Sequence, residues 1–121
     1  MSWDASFDGR DWNYTHNTNR MIAAAYKAAT GEDADQDTGP LELVAAIGPA
    51  WWKRLDGMSG MEGGRYLGKI LAGLCADPDR YRAMNPDNGW GDYDSLLRVL
   101  QEMCAHSLAA CCDKRRWEVW G

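Results

Sequence analysis

Residues 85–93 of this 121-residue chain read Asn85-Pro86-Asp87-Asn88-Gly89-Trp90-Gly91-Asp92-Tyr93. Pro86 fixes its own φ and pushes the residue before it into an extended conformation, so a helix cannot run through this point. The next three residues are turn formers, and a glycine on each side of Trp90 allows its indole to be aimed. The stretch predicts a shaped loop at a helix N-terminus, where backbone N–H groups can meet an anion or a polar ligand.

Helical signals lie on both sides of this loop. Asp92 is placed to cap a long amphipathic helix that ends near Cys112. Ser59 and Glu62 have capping-box spacing, which predicts the start of a helix that ends near Cys75. Apolar spacing with capping residues or prolines predicts shorter helices over about residues 20–29, 40–47, 49–56 and 78–84.

The helix that follows Ser59 carries small residues at every fourth position, namely Gly60, Gly64, Gly68, Ala72 and Ala76. A glycine inside a helix costs about 0.5–1 kcal/mol relative to alanine, so the helix must recover this free energy elsewhere. Close approach of another helix along the small residues is the expected compensation. The alternative is a ligand that lies against the backbone that these small residues leave exposed.

The two ends of the chain predict a minor sheet. Residues 10–15 and 116–121 alternate as strands do, and we expect them to pair, within one chain or with a neighbour. Residues 1–9 are polar and unpatterned, and we expect a loose lead-in. The predicted fold is mainly α: one domain over residues 1–121, with about four to six helices and a two-stranded sheet from the terminal segments. A terminal strand is also a natural place for subunit exchange, so we expect a homo-oligomer.

Charge and composition exclude some classes of partner. The net charge of −5 and the pI of about 4.9 would repel DNA or RNA, so no nucleic-acid polymer is expected as partner. No apolar run approaches the length of a membrane span, and no membrane partner is expected. The four cysteines form no CxxC pair and no signal peptide precedes them, which favours free thiols and a cytoplasmic location.

The sequence carries none of the common catalytic signatures. It contains no P-loop, no GxGxxG, no serine elbow and no HExxH. Neither of the two histidines, His16 and His106, has a second ligand at metal spacing, and His106 is expected to be a surface histidine in a salt bridge. We therefore predict a protein that is not an enzyme and has no metal and no cofactor.

Aromatic and amide residues point to a binding site instead. Seven Trp and five Tyr accompany a single Phe, and these two residue types favour partly wet pockets and interfaces. Trp90 could be a stacking platform or a plug of the core, and at least half of the tryptophans are expected to be core volume. His16 and its amide neighbours could form a polar pocket wall, or they could only satisfy a helix end.

Two segments resemble a family of small, mostly uncharacterised bacteriophage proteins. One is Asn13-Tyr14-Thr15-His16-Asn17 with Met21 four residues later, and the other is residues 81–93. The turn at residues 55–62 is also similar, whereas the acidic insertion around residues 32–39 and the glycine-rich helix depart from the family. The resemblance implies a phage gene expressed in the bacterial cytoplasm. Small accessory phage proteins often act by binding host defence proteins or by sequestering the nucleotide signals of defence systems.

The leading hypothesis is a non-enzymatic phage protein that sequesters a small nucleotide-like immune signal, either a cyclic oligonucleotide or an ADP-ribose-type molecule. The expected contacts are stacking by Tyr14, Trp90 and Tyr93, polar recognition by His16, Asn17, Asn85 and Asn88, and neutralisation of a phosphate by Arg20. The alternative is a protein-binding inhibitor of a host defence factor. A third hypothesis is a hydrolase that uses Asp or His residues near the loop.

Overall fold

The computed structural model describes residues 2–31, 51–86, 89–110 and 114–120. In this part of the chain the elements are β1 Ser2–Phe7, β2 Arg10–Thr15, a 3₁₀ turn His16–Thr18, α1 Asn19–Thr30, α2 Trp51–Leu55, α3 Gly60–Ala76, α4 Pro78–Arg82, α5 Tyr93–Ala109 and β3 Glu118–Trp120. The fold is mostly helical with a small antiparallel sheet, as predicted. The helix expected at residues 40–47 and the acidic segment at residues 32–39 lie outside the described residues.

The N-terminal residues form a strand, so the prediction of a loose lead-in is wrong. Trp3, Ala5 and Phe7 alternate along β1 and are all buried. Asp8 and Gly9 connect β1 to β2 with φ values of 54° and 76°, the paired positive φ of a two-residue type I′ turn. β1 and β2 therefore form a hairpin whose apolar face covers the helices.

β3 pairs with β1 and not with β2, which corrects the predicted pairing of the terminal segments. The strand order is β2-β1-β3, so the sheet has three strands and not two. Ala5 of β1 stands opposite Trp12 of β2 and Val119 of β3. The tight hairpin places β2 on one edge of β1, which leaves the other edge to β3 of the same chain.

Helices α1, α3 and α5 form the main helical layer, and the glycines of α3 allow their close contact. A Cβ at Gly60 would stand 2.6 Å from the Ser107 carbonyl oxygen of α5. A Cβ at Gly73 would overlap the Ala25 carbonyl of α1. The expected close approach of a second helix is thus confirmed, and it occurs on two sides of α3.

Local capping signals produce the helix ends that the sequence predicts. Ser59 Oγ accepts a hydrogen bond from the Glu62 N–H at 3.1 Å, and a Glu62 carboxylate oxygen accepts one from the Ser59 N–H at 3.1 Å. The Asp92 carboxylate accepts from the Ser95 N–H at 2.7 Å at the start of α5. Gly31 ends α1 with a φ of 76°.

Five of the seven tryptophans are buried, which confirms that most of them are core volume. Two of the buried indoles find polar partners inside the protein. Trp51 Nε1 donates to Asn19 Oδ1 at 2.9 Å, and Trp117 Nε1 donates to Ser107 Oγ at 2.9 Å. Within the described ranges, no helix combines the length and the apolar character needed to cross a membrane.

Candidate functional site

The end of β2, the 3₁₀ turn and the loop before α5 meet around an open cleft of about 670 Å³. The described residues that line it are Ser2, Asn13, Tyr14, Thr15, Asn17, Trp90 and Gly91. Three residues predicted for the site, Tyr14, Asn17 and Trp90, therefore share one cleft. The two sequence motifs that carry them are more than seventy positions apart and are brought together by the tertiary fold.

Hydrogen bonds tie the two motifs to each other. The Tyr14 hydroxyl accepts from the Asp92 N–H at 3.1 Å and donates to the Asp92 carbonyl at 3.3 Å. Asn17 Nδ2 donates to the Trp90 carbonyl at 3.3 Å. The backbone on both sides of Gly91 is thus held against β2 and the 3₁₀ turn, which keeps the wall that carries Trp90 in place.

Gly91 allows the loop to lie this close. Its φ is 94°, a conformation that residues with a side chain rarely adopt. A Cβ at this position would overlap the Thr15 methyl group and would stand 3.3 Å from the Thr18 methyl group. Gly89, on the other side of Trp90, also has positive φ, but a Cβ there would meet none of the described residues within 4 Å.

Trp90 does not plug the core. It is 71% exposed and is the most exposed of the large apolar side chains that the structure describes. The other described lining residues present hydroxyl and amide groups together with the Tyr14 ring. Asn13 Nδ2 is engaged with Ser2 Oγ at 3.1 Å and with Asp4 Oδ1 at 2.9 Å, which joins β2 to β1 beside the cleft.

A second, smaller cleft of about 290 Å³ adjoins the first at Asn17, which lines both. Its other described lining residues are Arg20, Met21, Met84 and Pro86. Arg20 is the one charged residue among the described residues that line either cleft. Its side chain is exposed, at the first turn of α1.

Asn85 and Tyr93 are predicted to contact the ligand, but neither residue lines a cleft. Asn85 Oδ1 accepts from the Tyr93 N–H at 2.9 Å, so this amide holds the start of α5 and lines neither cleft. The Tyr93 ring is buried in the core, where it stacks on Tyr81, and its hydroxyl donates to the Leu74 carbonyl at 2.6 Å. Burial also raises the pKa of the Tyr93 phenol. Tyr93 therefore cannot stack on a ligand without leaving the core.

The side chains of His16 and Asn88 lie outside the described part of the structure, although the His16 backbone begins the 3₁₀ turn. Four residues of the larger cleft were not predicted: Ser2, Asn13, Thr15 and Gly91. Ser2 stands opposite Thr15 in the hairpin register. The Asp8-Gly9 turn signal would have placed these two residues side by side.

The larger cleft offers an aromatic face and neutral hydrogen-bonding groups. Among the described residues, no three His, Cys, Asp or Glu side chains come together as a metal site would require. Comparisons of the chain with protein-family models, with curated proteins and with solved structures each return no match. The geometry of the two clefts is therefore the main support for a function.

Proposed function

We propose that the protein is a non-enzymatic binding protein that captures a small nucleotide-like ligand in the larger cleft. The observation that carries this proposal is the exposed indole of Trp90 on the wall of a cleft whose other described lining residues are uncharged. A planar base stacks well on an indole, and its edge has donors and acceptors that match amides and hydroxyls. Tyr14 and Asn17 are the side chains placed to complete this contact.

The binding free energy of such a contact can be estimated from its parts. Stacking of a base on an aromatic side chain contributes about 1–3 kcal/mol. One or two neutral hydrogen bonds, from Asn17 for example, add about 0.5–1.5 kcal/mol each. The total is near the 4 kcal/mol or so of a millimolar complex. Tight capture therefore needs further contacts, which a phosphate at Arg20 or a second subunit of the proposed homo-oligomer would supply.

We extend the same proposal to a biological role. The resemblance to small bacteriophage proteins supports a role in the cytoplasm of a bacterial host, where the ligand would be an immune signal. Cyclic oligonucleotides and ADP-ribose-type molecules both combine bases with phosphates, which suits the two adjoining clefts. Sequestering such a signal requires binding alone and no catalytic group.

The proposal is tested by measuring thermal stability against a panel of cyclic di- and trinucleotides and ADP-ribose. A ligand that binds only the folded state raises the unfolding midpoint by mass action. We expect Trp90→Ala to abolish the shift, and Trp120→Ala to retain it, because Trp120 is 49% exposed but lies on β3 outside both clefts. Recovery of the ligand intact identifies capture, whereas a hydrolysed ligand identifies an enzyme. A parent protein that no panel member stabilises would overturn the proposal.

A protein-binding inhibitor of a host defence factor is the second candidate. It is favoured by the other exposed apolar side chains of the described chain, namely Met61, Leu108 and Trp120. Such scattered exposure is common on soluble domains and supports an interface only weakly. Titration of a purified defence protein with the parent and with Trp120→Ala tests this candidate. Equal binding by both proteins would count against a role of that surface.

A further inference from the structure

We infer that the two clefts form one divided binding site, in which the larger cleft binds an uncharged base at Trp90 and the smaller cleft, which also has Asn17 in its wall, binds a phosphate at Arg20. This inference rests on the proposed function and makes it more specific. It assigns the ligand to the class of nucleoside phosphates, with the base and the anion bound in separate clefts. The support comes from the distribution of charge and from the neighbours of Arg20.

The charge distribution around the clefts differs from that of the whole chain. The protein has 18 acidic and 13 basic residues, yet none of the described residues that line either cleft carries a carboxylate. The single charged lining residue is a cation, and it lies in the smaller cleft. Among the described lining residues, an anionic group of a ligand would therefore meet an opposite charge in the smaller cleft and neutral groups in the larger one.

The neighbours of Arg20 suit a phosphate. Met21, Met84 and Pro86 line the same cleft, so its described lining residues include no carboxylate that would compete with a phosphate for the guanidinium. The planar fork of arginine also matches two phosphate oxygens at once, which the point charge of a lysine cannot do.

Asn17 connects the two halves of the site. It lines both clefts, and its side-chain amide nitrogen donates a hydrogen bond to the Trp90 carbonyl. A nucleoside phosphate has the same division, because its flat base is separated from its anionic group by a sugar. In the inferred complex the base stacks on Trp90, the sugar lies against Asn17, and the phosphate contacts Arg20.

Matched pairs of ligands test this division. Adenosine, uridine and their 5′-monophosphates are titrated into the parent protein, and binding is followed by ligand-observed NMR. The parent is expected to bind each monophosphate about tenfold more tightly than its nucleoside, since a hydrogen-bonded charge adds an increment of this order. Added salt should reduce this preference, because it screens an exposed ion pair.

Variants then assign the preference to Arg20. Arg20→Gln should bind nucleoside and monophosphate equally, with nucleoside affinity kept. Arg65→Gln removes the same charge from an exposed position on α3 outside both clefts and should keep the parent's preference. Trp90→Ala should weaken all four ligands.

The ways in which this test can fail are distinguishable. Equal binding of nucleosides and monophosphates by the parent would overturn the divided site and leave the proposed function standing. Binding of a larger nucleotide from the panel without binding of any of the four fragments would also overturn the division. No binding of the fragments or of any larger nucleotide would overturn both the inference and the proposed function.

Discussion

The Tyr14 hydroxyl makes two hydrogen bonds to the backbone of one residue, Asp92: it accepts from the N–H at 3.1 Å and donates to the carbonyl at 3.3 Å. The carboxylate of Asp92 meanwhile caps α5 by accepting from the Ser95 N–H. One phenol thus ties the end of the N-terminal hairpin to the first turn of α5. These two hydrogen bonds therefore hold the loop that carries Trp90 against the hairpin.

Tyr14→Phe removes both bonds and leaves the aromatic ring. The Asp92 N–H and carbonyl then lose a partly buried partner, and we expect the free energy of unfolding to fall by about 1–2 kcal/mol. The loop that carries Trp90 should also loosen, and ligand binding should weaken with it. Urea denaturation and ligand titration measure the two effects.

Tyr81→Phe is the matched control for Tyr14→Phe. The Tyr81 ring is buried, but its hydroxyl makes no hydrogen bond to another residue in the part of the chain that the structure describes. The loss of this hydroxyl should change stability by less than about 0.5 kcal/mol and leave ligand binding intact. Equal effects of the two substitutions would show that the bonds to Asp92 do not hold the loop.

Gly91→Ala should damage the site through a steric clash. The new Cβ would overlap the Thr15 methyl group, and the positive φ adds about 1–2 kcal/mol of backbone strain. We expect a clear loss of stability, together with weaker ligand binding as the loop moves away from β2. Gly89→Ala is the control, because Gly89 has the same kind of φ and a Cβ there would meet none of the described residues within 4 Å, so it should show only the strain.

A second substitution separates the clash at Gly91 from the strain. Thr15→Ser deletes the methyl group that the Cβ introduced by Gly91→Ala would overlap. Combined with Gly91→Ala, it should restore part of the stability and most of the ligand binding, because the loop can again approach β2. A double variant that is less stable than Gly91→Ala would contradict the steric explanation.

The capping box of α3 predicts a dependence of stability on pH. Hydrogen bonds from the Ser59 N–H and hydroxyl, with a smaller effect of Arg116, hold the pKa of the Glu62 carboxyl below its ordinary value. Because the pKa is lower in the folded protein, the ionised group stabilises the fold at neutral pH. This contribution is lost as the pH falls through the lowered pKa.

Glu62→Gln keeps the capping geometry and removes the charge. The parent should therefore be more stable than the variant near pH 7, and the difference should shrink as the pH falls to about 3. Chemical denaturation at several pH values measures it. Ser59→Ala removes a side chain that helps to lower the pKa of Glu62 and should reduce the same pH dependence. A difference between parent and Glu62→Gln that is constant with pH would rule out this role of Glu62.

Strand β1 is absent from the predicted fold, although the sequence carries two local signals for it. Trp3, Ala5 and Phe7 alternate with polar residues, and Asp8-Gly9 is a strong signal for a type I′ hairpin. Both signals are local, so β1 could have been predicted from the sequence. The partner of β3 could not, because its choice depends on which edge of β1 the hairpin leaves open.

The site could be predicted only in part, for a related reason. The helix caps depend on residues three or four positions apart, whereas the meeting of Tyr14 with the loop at Trp90 depends on how the hairpin packs on the helices. Tyr93 is predicted to begin the last helix and to stack on a ligand, but its ring lies in the core. It begins the buried face of α5 that continues at Leu96 and Leu100, and this helical spacing was visible in the sequence.

Two glycines of α3 predict opposite effects of the same substitution. A Cβ at Gly73 would overlap the carbonyl of Ala25, a backbone group of α1 that cannot rotate away. Gly73→Ala should therefore separate α1 from α3 and lower the free energy of unfolding by about 1–3 kcal/mol. A Cβ at Gly68 would lie 3.9 Å from the Cys104 sulfur, which is an ordinary contact.

Gly68→Ala should instead stabilise the protein by about 0.5–1 kcal/mol, because alanine loses less backbone entropy in a helix. The two variants add the same methyl group at positions five residues apart on one helix, so helix propensity is nearly matched between them. Their opposite signs in urea denaturation would isolate the effect of contact with α1. If Gly73→Ala were also stabilising, then α1 would not approach α3 as closely as the Ala25 carbonyl indicates, and Gly73 would not be needed for the packing of these helices.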